Sequence, residues 1–140
     1  MLCRRTGSGA IVAAMDTATS PPPDRSTLAR YGERLAERYL RERGFTVLSR
    51  NWRCREGEVD IVALDGDCLV VCEVKTRRTT AFGAPVEAVT LIKLARLRRL
   101  AATWLAEHDT HVGDVRVDVI GVLRPRRGAC TLEHLVGVVA

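Results

Sequence analysis

Hydrophobic residues recur along this chain with two different periods, which predict helices and strands. In two segments they recur every three or four positions, as on one face of a helix. The first predicted helix begins at Asp24 or Ser26 and ends near Arg43. The second begins at Thr90 and ends near Glu107. Five other segments alternate or are continuously apolar and predict strands: 45–52, 58–64, 68–76, 115–123 and 130–139.

The order of these elements predicts an α/β fold with a mixed five-stranded sheet flanked by helices. The run Asp65-Gly66-Asp67 is a strong turn signal, so segments 58–64 and 68–76 form a hairpin. The second helix then crosses over the sheet, which allows strand 115–123 to lie parallel to strand 68–76. Gly32 costs the first helix about 1 kcal/mol relative to alanine, so we expect another backbone to approach it closely.

The first 24 residues differ in composition from the rest of the chain. A short apolar run, Ala10 to Met15, precedes a segment rich in Thr, Ser and Pro. The run is too short for a secretory signal, and no later segment approaches the length of a membrane span. We therefore expect residues 1–24 to be a disordered extension, with Met15 as a candidate translation start, and residues 25–140 to be a single domain.

Charge and cysteine content narrow the classes of function. The net charge of +5 is compatible with a nucleic-acid partner without requiring one. Aromatic residues make up only 4% of the chain, which argues against a single-strand binder that stacks bases on several rings. The five cysteines form no C-x-x-C pair and show no ligand spacing with the histidines. This argues against a zinc site or a cysteine nucleophile, and it favours a reducing cytoplasm.

Three ionisable residues interrupt the apolar hairpin and are the candidates for chemistry. Glu73 and Lys75 point to one face of their strand, and Asp60 lies on the neighbouring strand. Mg²⁺ prefers oxygen ligands and is usually held by one or two carboxylates, which Asp60 and Glu73 would supply. Lys75 could orient the attacking water or stabilise charge on a phosphorane. The alternative is that Glu73 and Lys75 form an ordinary ion pair on a solvated face of the sheet. The presence of Asp60 on the adjacent strand favours a catalytic site over that alternative.

These residues resemble a known nuclease signature. Asp60, twelve intervening residues and then Glu73-Val74-Lys75 resemble the PD-(D/E)XK motif of restriction-endonuclease-like proteins. From Leu28 to the C-terminus, the chain is similar to the YraN-type bacterial family of predicted endonucleases, which are related in fold to archaeal Holliday-junction resolvases. The motifs that carry this similarity are Gly32-Glu33, Gly44-Phe45, Arg50-Asn51, 57–60, 71–77 and 116–118.

The resemblance implies a restriction-endonuclease-like three-layer core and an endonuclease that depends on Mg²⁺ or Mn²⁺. Its implied substrate is DNA, with branched DNA as one candidate class. It also matches Glu33 to a first-helix acid of the metal site, whereas the alternative for Glu33 is an ordinary ion pair on the helix surface. Cutting both strands of a junction usually needs paired sites, which is compatible with a homodimer.

Basic residues flank the three candidate residues and could contact backbone phosphates. For any one of them, a solvated surface position is the alternative. The candidates are Arg53, Arg77, Arg78, Lys93 and Arg96.

Two other functions are also compatible with the sequence. A catalytically silent nucleic-acid-binding protein of the same fold would bind DNA without a metal. A structural or interaction protein would bind neither a divalent metal nor DNA in a salt-dependent way.

Overall fold

Six strands and two helices make up the part of the chain that the computed structural model describes, residues 10–17, 25–79 and 89–139. The predicted helices and strands are present, and their ends agree within two residues except for the last strand. That strand ends at Leu135, four residues before the predicted end, and Gly137 has a positive φ of 68° that an extended strand does not adopt. In chain order the elements are β1 (Ala10–Thr17), α1 (Arg25–Glu42), β2 (Thr46–Cys54), β3 (Gly57–Asp65), β4 (Cys68–Arg77), α2 (Leu91–Glu107), β5 (Asp114–Leu123) and β6 (Ala129–Leu135).

The strands form one mixed sheet in the order β1-β6-β5-β4-β3-β2. Strands β4 and β5 are parallel, as the crossover by α2 requires, and every other neighbouring pair is antiparallel. Strands β2 to β6 are the predicted mixed five-stranded sheet flanked by helices. The α/β prediction is therefore confirmed, and the arrangement is consistent with a restriction-endonuclease-like core.

Strand β1 adds a sixth strand at the edge of the sheet. It pairs antiparallel with β6, from Ala10 opposite Leu135 to Thr17 opposite Ala129. The composition of residues 1–24 predicts disorder, so the structure differs from that expectation over 10–17. The short apolar run finds hydrogen-bonding partners on the open edge of β6, which local composition cannot reveal. The division into domains and the start at Met15 stay predictions.

Each face of the sheet is covered by one helix. The α1 side buries Leu40 of that helix against alternate β4 residues, Val70 and Cys72. The α2 side buries Leu97 against the residue between those two, Val71. Strand β4 is thus apolar on both faces, which explains its nearly continuous hydrophobic sequence. In the described segments, neither helix combines the length and the apolar character needed to cross a membrane.

Helix α1 lies against β4 at Gly32. A Cβ atom on Gly32 would stand 2.8 Å from the Cβ of Thr76, and closer still to its hydroxyl oxygen. Glycine is therefore required by the packing of the helix on the sheet. The close approach at Gly32 occurs as predicted, but the expectation of a neighbouring backbone was wrong, since the nearest atoms belong to the Thr76 side chain. This contact fixes the distance between α1 and the end of β4.

A buried polar network ties β5 to β6 and α1. The Arg116 Nε and Nη2 groups donate to the two carboxylate oxygens of Asp118 at 2.8 and 3.0 Å. The His134 Nε2 group donates to Asp118 Oδ2 at 2.7 Å, and His134 Nδ1 lies 3.1 Å from the Tyr39 hydroxyl. Arg116 also donates to Asp65 at 3.0 Å. Because every charge has a partner, the interior tolerates these groups.

Candidate active site

Asp60 and Glu73 lie at corresponding positions on the two strands of the β3–β4 hairpin. The last matched pair of its ladder is Ile61 and Cys72, and Asp60 and Glu73 are the next residues on each strand. The Val74 N–H group donates to Asp60 Oδ2 at 2.8 Å. A side chain therefore satisfies a backbone donor where the regular ladder has ended. Asp60 and Glu73 begin the unpaired end of the hairpin.

Glu73 is held between two lysines. It is only 9% exposed and lies on the α2 face of β4. Lys93 Nζ lies 2.7 Å from Glu73 Oε1, and Lys75 Nζ lies 3.4 Å from the same oxygen. Strand alternation correctly predicts that Glu73 and Lys75 share a face. Lys93 reaches the same carboxylate from α2.

The surroundings of Asp60 disfavour its ionised form. Burial raises the pKa of Asp60 to about 7, with the charge of Glu73 as the second cause. The hydrogen bond from Val74 acts in the opposite direction, and the charges of Glu33 and Glu58 raise the pKa further. Glu33, Glu58 and Glu73 are therefore close enough to Asp60 to repel its negative charge. The end of the hairpin is therefore a cluster of acids whose charges act on one another, with lysines paired to Glu73.

The raised pKa of Asp60 carries a cost in folding stability. In the unfolded chain Asp60 ionises near pH 3.8, whereas in the folded chain it keeps its proton until about pH 7. Between these values the folded chain binds more protons, so this residue's contribution to stability is lost as the pH rises. A cation placed among the acids would offset that cost. Perturbed groups of this kind are typical of functional sites.

Glu33 and Asp60 line one small cavity between α1 and the sheet. The cavity has a volume of about 180 Å³ and is lined by Arg30, Glu33, Arg34, Arg50, Asn51, Asp60 and Ile61. Asn51 has a positive φ of 49°, a conformation that asparagine tolerates better than most residues. It lies on β2 between the residues paired with Ile61 and Val59, and so stands beside Asp60. Glu33 of α1 and Asp60 of β3 thus face the same cavity.

The sequence around this site matches the model of a protein family. The model of the uncharacterised protein family UPF0102 matches residues 32–122, which include the three candidate acids, Glu33, Asp60 and Glu73, and Lys75. The chain belongs to the UPF0102 family. This confirms the YraN-type resemblance seen in the sequence motifs.

Relatives in the UPF0102 family match most of the chain. The UPF0102 protein of Beutenbergia cavernae is 60% identical over 114 residues, which cover 81% of this chain and 97% of that relative. The UPF0102 protein of Kineococcus radiotolerans is 57% identical over 115 residues, covering 81% of this chain and 94% of that relative. The UPF0102 protein of Streptomyces griseus is 58% identical over 115 residues, which cover 81% of this chain and 97% of that relative. These names state no activity.

The donor atoms of this UPF0102 site suit a hard cation. Within residues 25–79 and 89–139, no three His, Cys, Asp or Glu side chains stand close enough to form a complete metal cage. Mg²⁺ does not need one, since it is usually held by one or two carboxylates and retains several waters. Asp60 and Glu73 supply two carboxylates, and a bound cation would offset the repulsion by which the charge of Glu73 raises the pKa of Asp60. The residues present therefore fit Mg²⁺ or Mn²⁺.

Cys72 lies beside the site but is not a metal ligand or a nucleophile. Burial raises the pKa of its thiol well above the usual value, and the charges of Asp118, Asp60 and Glu73 add to that effect. The group therefore remains a neutral thiol, whereas metal ligation and nucleophilic attack both use the thiolate. Cys72 is fully buried and packs as a small hydrophobic residue.

The five basic candidates have different environments. Arg53 is exposed and pairs with Glu58 at 3.0 Å. Arg77 ends β4, and Arg78 follows it in a half-buried position. Arg96 is exposed on α2, whereas Lys93 is held against Glu73. Their role in phosphate contact stays a prediction.

The contact between Lys93 and Glu73 is the feature that sequence reasoning missed. Lys93 belongs to a run of basic residues on α2, which by itself resembles a solvated helix face. One signal was present, because Thr90 caps α2 and fixes Lys93 in its first turn, on the segment that returns after β4. Only the packing of α2 on β4 shows that this first turn stands over Glu73.

Proposed function

We propose that this protein is a divalent-metal-dependent endonuclease that hydrolyses phosphodiester bonds in DNA. The observation that supports the proposal is the position of two acids and an amine at the open end of one hairpin. Asp60 and Glu73 are the first residues beyond its ladder, and Lys75 lies 3.4 Å from the Glu73 carboxylate. A structural ion pair between Glu73 and Lys75 does not require a second acid beside it, whereas the charge of Glu73 acts on Asp60.

The residues divide the chemistry among them. Asp60 and Glu73 would hold the cation, and Glu33, which lines the cavity beside Asp60, would join them only by moving closer. Mg²⁺ or Mn²⁺, when bound, supplies positive charge that offsets the phosphate and lowers the pKa of a coordinated water. Lys75 is the catalytic lysine. Its side chain is 31% exposed, so its ammonium can donate to the attacking water or to a negatively charged phosphate oxygen.

The surroundings favour a nucleic-acid substrate, for which we propose DNA. Arg96 is exposed on α2, and Arg77 and Arg78 are half-buried at the end of β4; these side chains would contact backbone phosphates without reading sequence. Branched DNA is the substrate class that we infer from the family resemblance, and a symmetric homodimer would supply two sites for paired cuts. The cysteines of the described segments are free thiols, which is in keeping with a cytoplasmic location.

The proposal is tested by nicking of supercoiled plasmid and of a four-way junction in Mn²⁺ or Mg²⁺. We expect cleavage that EDTA abolishes, and a loss of about 100-fold or more for Lys75→Ala, as is typical when a group that stabilises the transition state is removed. Thermal unfolding followed by circular dichroism checks that the variant is folded.

A matched control separates the role of Lys75 from its charge. Arg38→Ala also removes one positive charge, from an exposed position on α1 where Arg38 pairs with Glu42, and should cleave like the original protein. Equal cleavage by Lys75→Ala would assign the activity to a contaminant or another site. Metal-independent DNA binding that survives Asp60→Asn, with no cleavage, would favour the catalytically silent DNA-binding protein.

A further inference from the structure

Two ammonium groups share one oxygen of Glu73, and the closer one does not belong to the sequence motif. Lys93 Nζ lies 2.7 Å from Glu73 Oε1, whereas Lys75 Nζ lies 3.4 Å from it. The Lys93 side chain is 20% exposed and that of Lys75 is 31% exposed. The shorter and more sheltered contact is the stronger electrostatic one. Lys93 is therefore the main counter-ion of Glu73 in this structure.

The contact between Lys93 and Glu73 is fixed by the position of Lys93 at the start of α2. The Thr90 hydroxyl accepts the Lys93 N–H at 3.1 Å, which fixes Lys93 in the first turn of the helix. Leu94 and Leu97 bury the same helix against β4. The Lys93 ammonium is thus carried on a rigid element and reaches a buried carboxylate, in contrast to a flexible surface pair.

We propose that Lys93 is the resident counter-ion of the metal site. Its ammonium occupies Glu73 Oε1 in the metal-free protein and leaves that oxygen when a divalent cation binds. This inference rests on the proposed function, because it takes Glu73 as a metal ligand. As a consequence, Lys93 stabilises the fold in the absence of metal and lowers the affinity of the site for a divalent cation.

This role predicts two effects of opposite sign for Lys93→Met, which keeps most of the aliphatic stem and removes the charge. The metal-free protein becomes less stable, since a buried carboxylate loses its closer partner. Affinity for a divalent cation rises, because a competing positive charge is gone. A lysine with a merely structural role would lower stability without raising metal affinity.

The experiment is a calorimetric titration with Mn²⁺ in the absence of nucleic acid, for the original protein and for Lys93→Met. We expect Mn²⁺ to bind Lys93→Met about tenfold more tightly at moderate salt. If Lys93→Met does not fold, Lys93→Gln replaces it in the experiment, because glutamine retains a hydrogen-bond donor without the charge. Its Mn²⁺ affinity should also rise. Lys93→Arg restores the charge and should bind Mn²⁺ close to the original affinity.

Arg99→Met is the control for overall charge, since it removes one cation from an exposed position on the same helix. Its Mn²⁺ affinity should change less than about twofold because of screening by salt. Unchanged or weaker Mn²⁺ binding by both Lys93→Met and Lys93→Gln would overturn the inference and leave the proposed function standing. Absence of Mn²⁺ binding by every variant would overturn the metal-dependent function itself, and the inference with it.

Discussion

Replacing Asp118 by asparagine should destabilise the fold by about 3–5 kcal/mol, the usual cost of removing one partner of a buried ion pair. The Asp118 side chain is fully buried and accepts hydrogen bonds from Arg116, His134 and the Gly137 N–H group. Asparagine removes the negative charge that balances Arg116. It also replaces one accepting oxygen by an NH₂ group, which cannot accept a hydrogen bond from any of these donors. The free energy of unfolding in urea at neutral pH measures the loss.

The pH dependence of this loss follows from the pKa of Asp118. Burial alone would raise that pKa, but hydrogen bonds from His134 and Arg116 outweigh burial and hold it below the usual 3.8. The contribution of the carboxylate to stability is therefore complete well above the ordinary pKa of 3.8, and it is lost as the pH falls through that value towards the lower pKa of the folded chain. Asp109→Asn, at a 99% exposed side chain, should change stability by less than about 0.5 kcal/mol. A similarly small effect for Asp118→Asn would contradict the network.

Replacing Gly32 by alanine should destabilise the fold by about 1–3 kcal/mol, the usual cost of overpacking. On helix propensity alone, the same change would stabilise α1 by about 1 kcal/mol. The sign reverses because the new methyl group would stand 2.8 Å from the Cβ of Thr76 and nearer its hydroxyl. Urea unfolding of the variant and of the original protein distinguishes the two signs.

A double-mutant cycle assigns this effect to Thr76. Thr76→Gly removes the clashing atoms, so Gly32→Ala should cost much less in a chain that already carries Thr76→Gly. The clash also bears on the site, since Thr76 follows Lys75 and its displacement would move the proposed catalytic lysine. An unfolding free energy for Gly32→Ala above that of the original protein would show that α1 does not pack on β4 at this point.

The central hairpin could be predicted because its information is local. The turn signal at Gly66 fixes the register, and Asp60 and Glu73 each lie five residues from the paired ends of that turn. Alternation along β4 then places Lys75 on the face of Glu73. The predicted juxtaposition of the three residues therefore required only strand geometry.

The remaining features depend on packing between distant segments, which local patterns do not encode. Lys93 contacts Glu73 only because α2 returns across β4. Arg116 and Asp118 alternate with valines as an exposed polar face would, yet they are buried because His134 on β6 completes their network. Strand β1 depends likewise on the free edge of β6.

The most direct test of a shared cation site is a carbon-13 NMR titration of the Asp60 carboxyl group, without metal and with Mg²⁺. We expect a pKa of about 7 for Asp60 without metal, raised by burial and by Glu73, and a fall towards the ordinary value when Mg²⁺ binds. A pKa near 3.8 in the metal-free protein, or one that Mg²⁺ leaves unchanged, would contradict a shared cation site at Asp60 and Glu73.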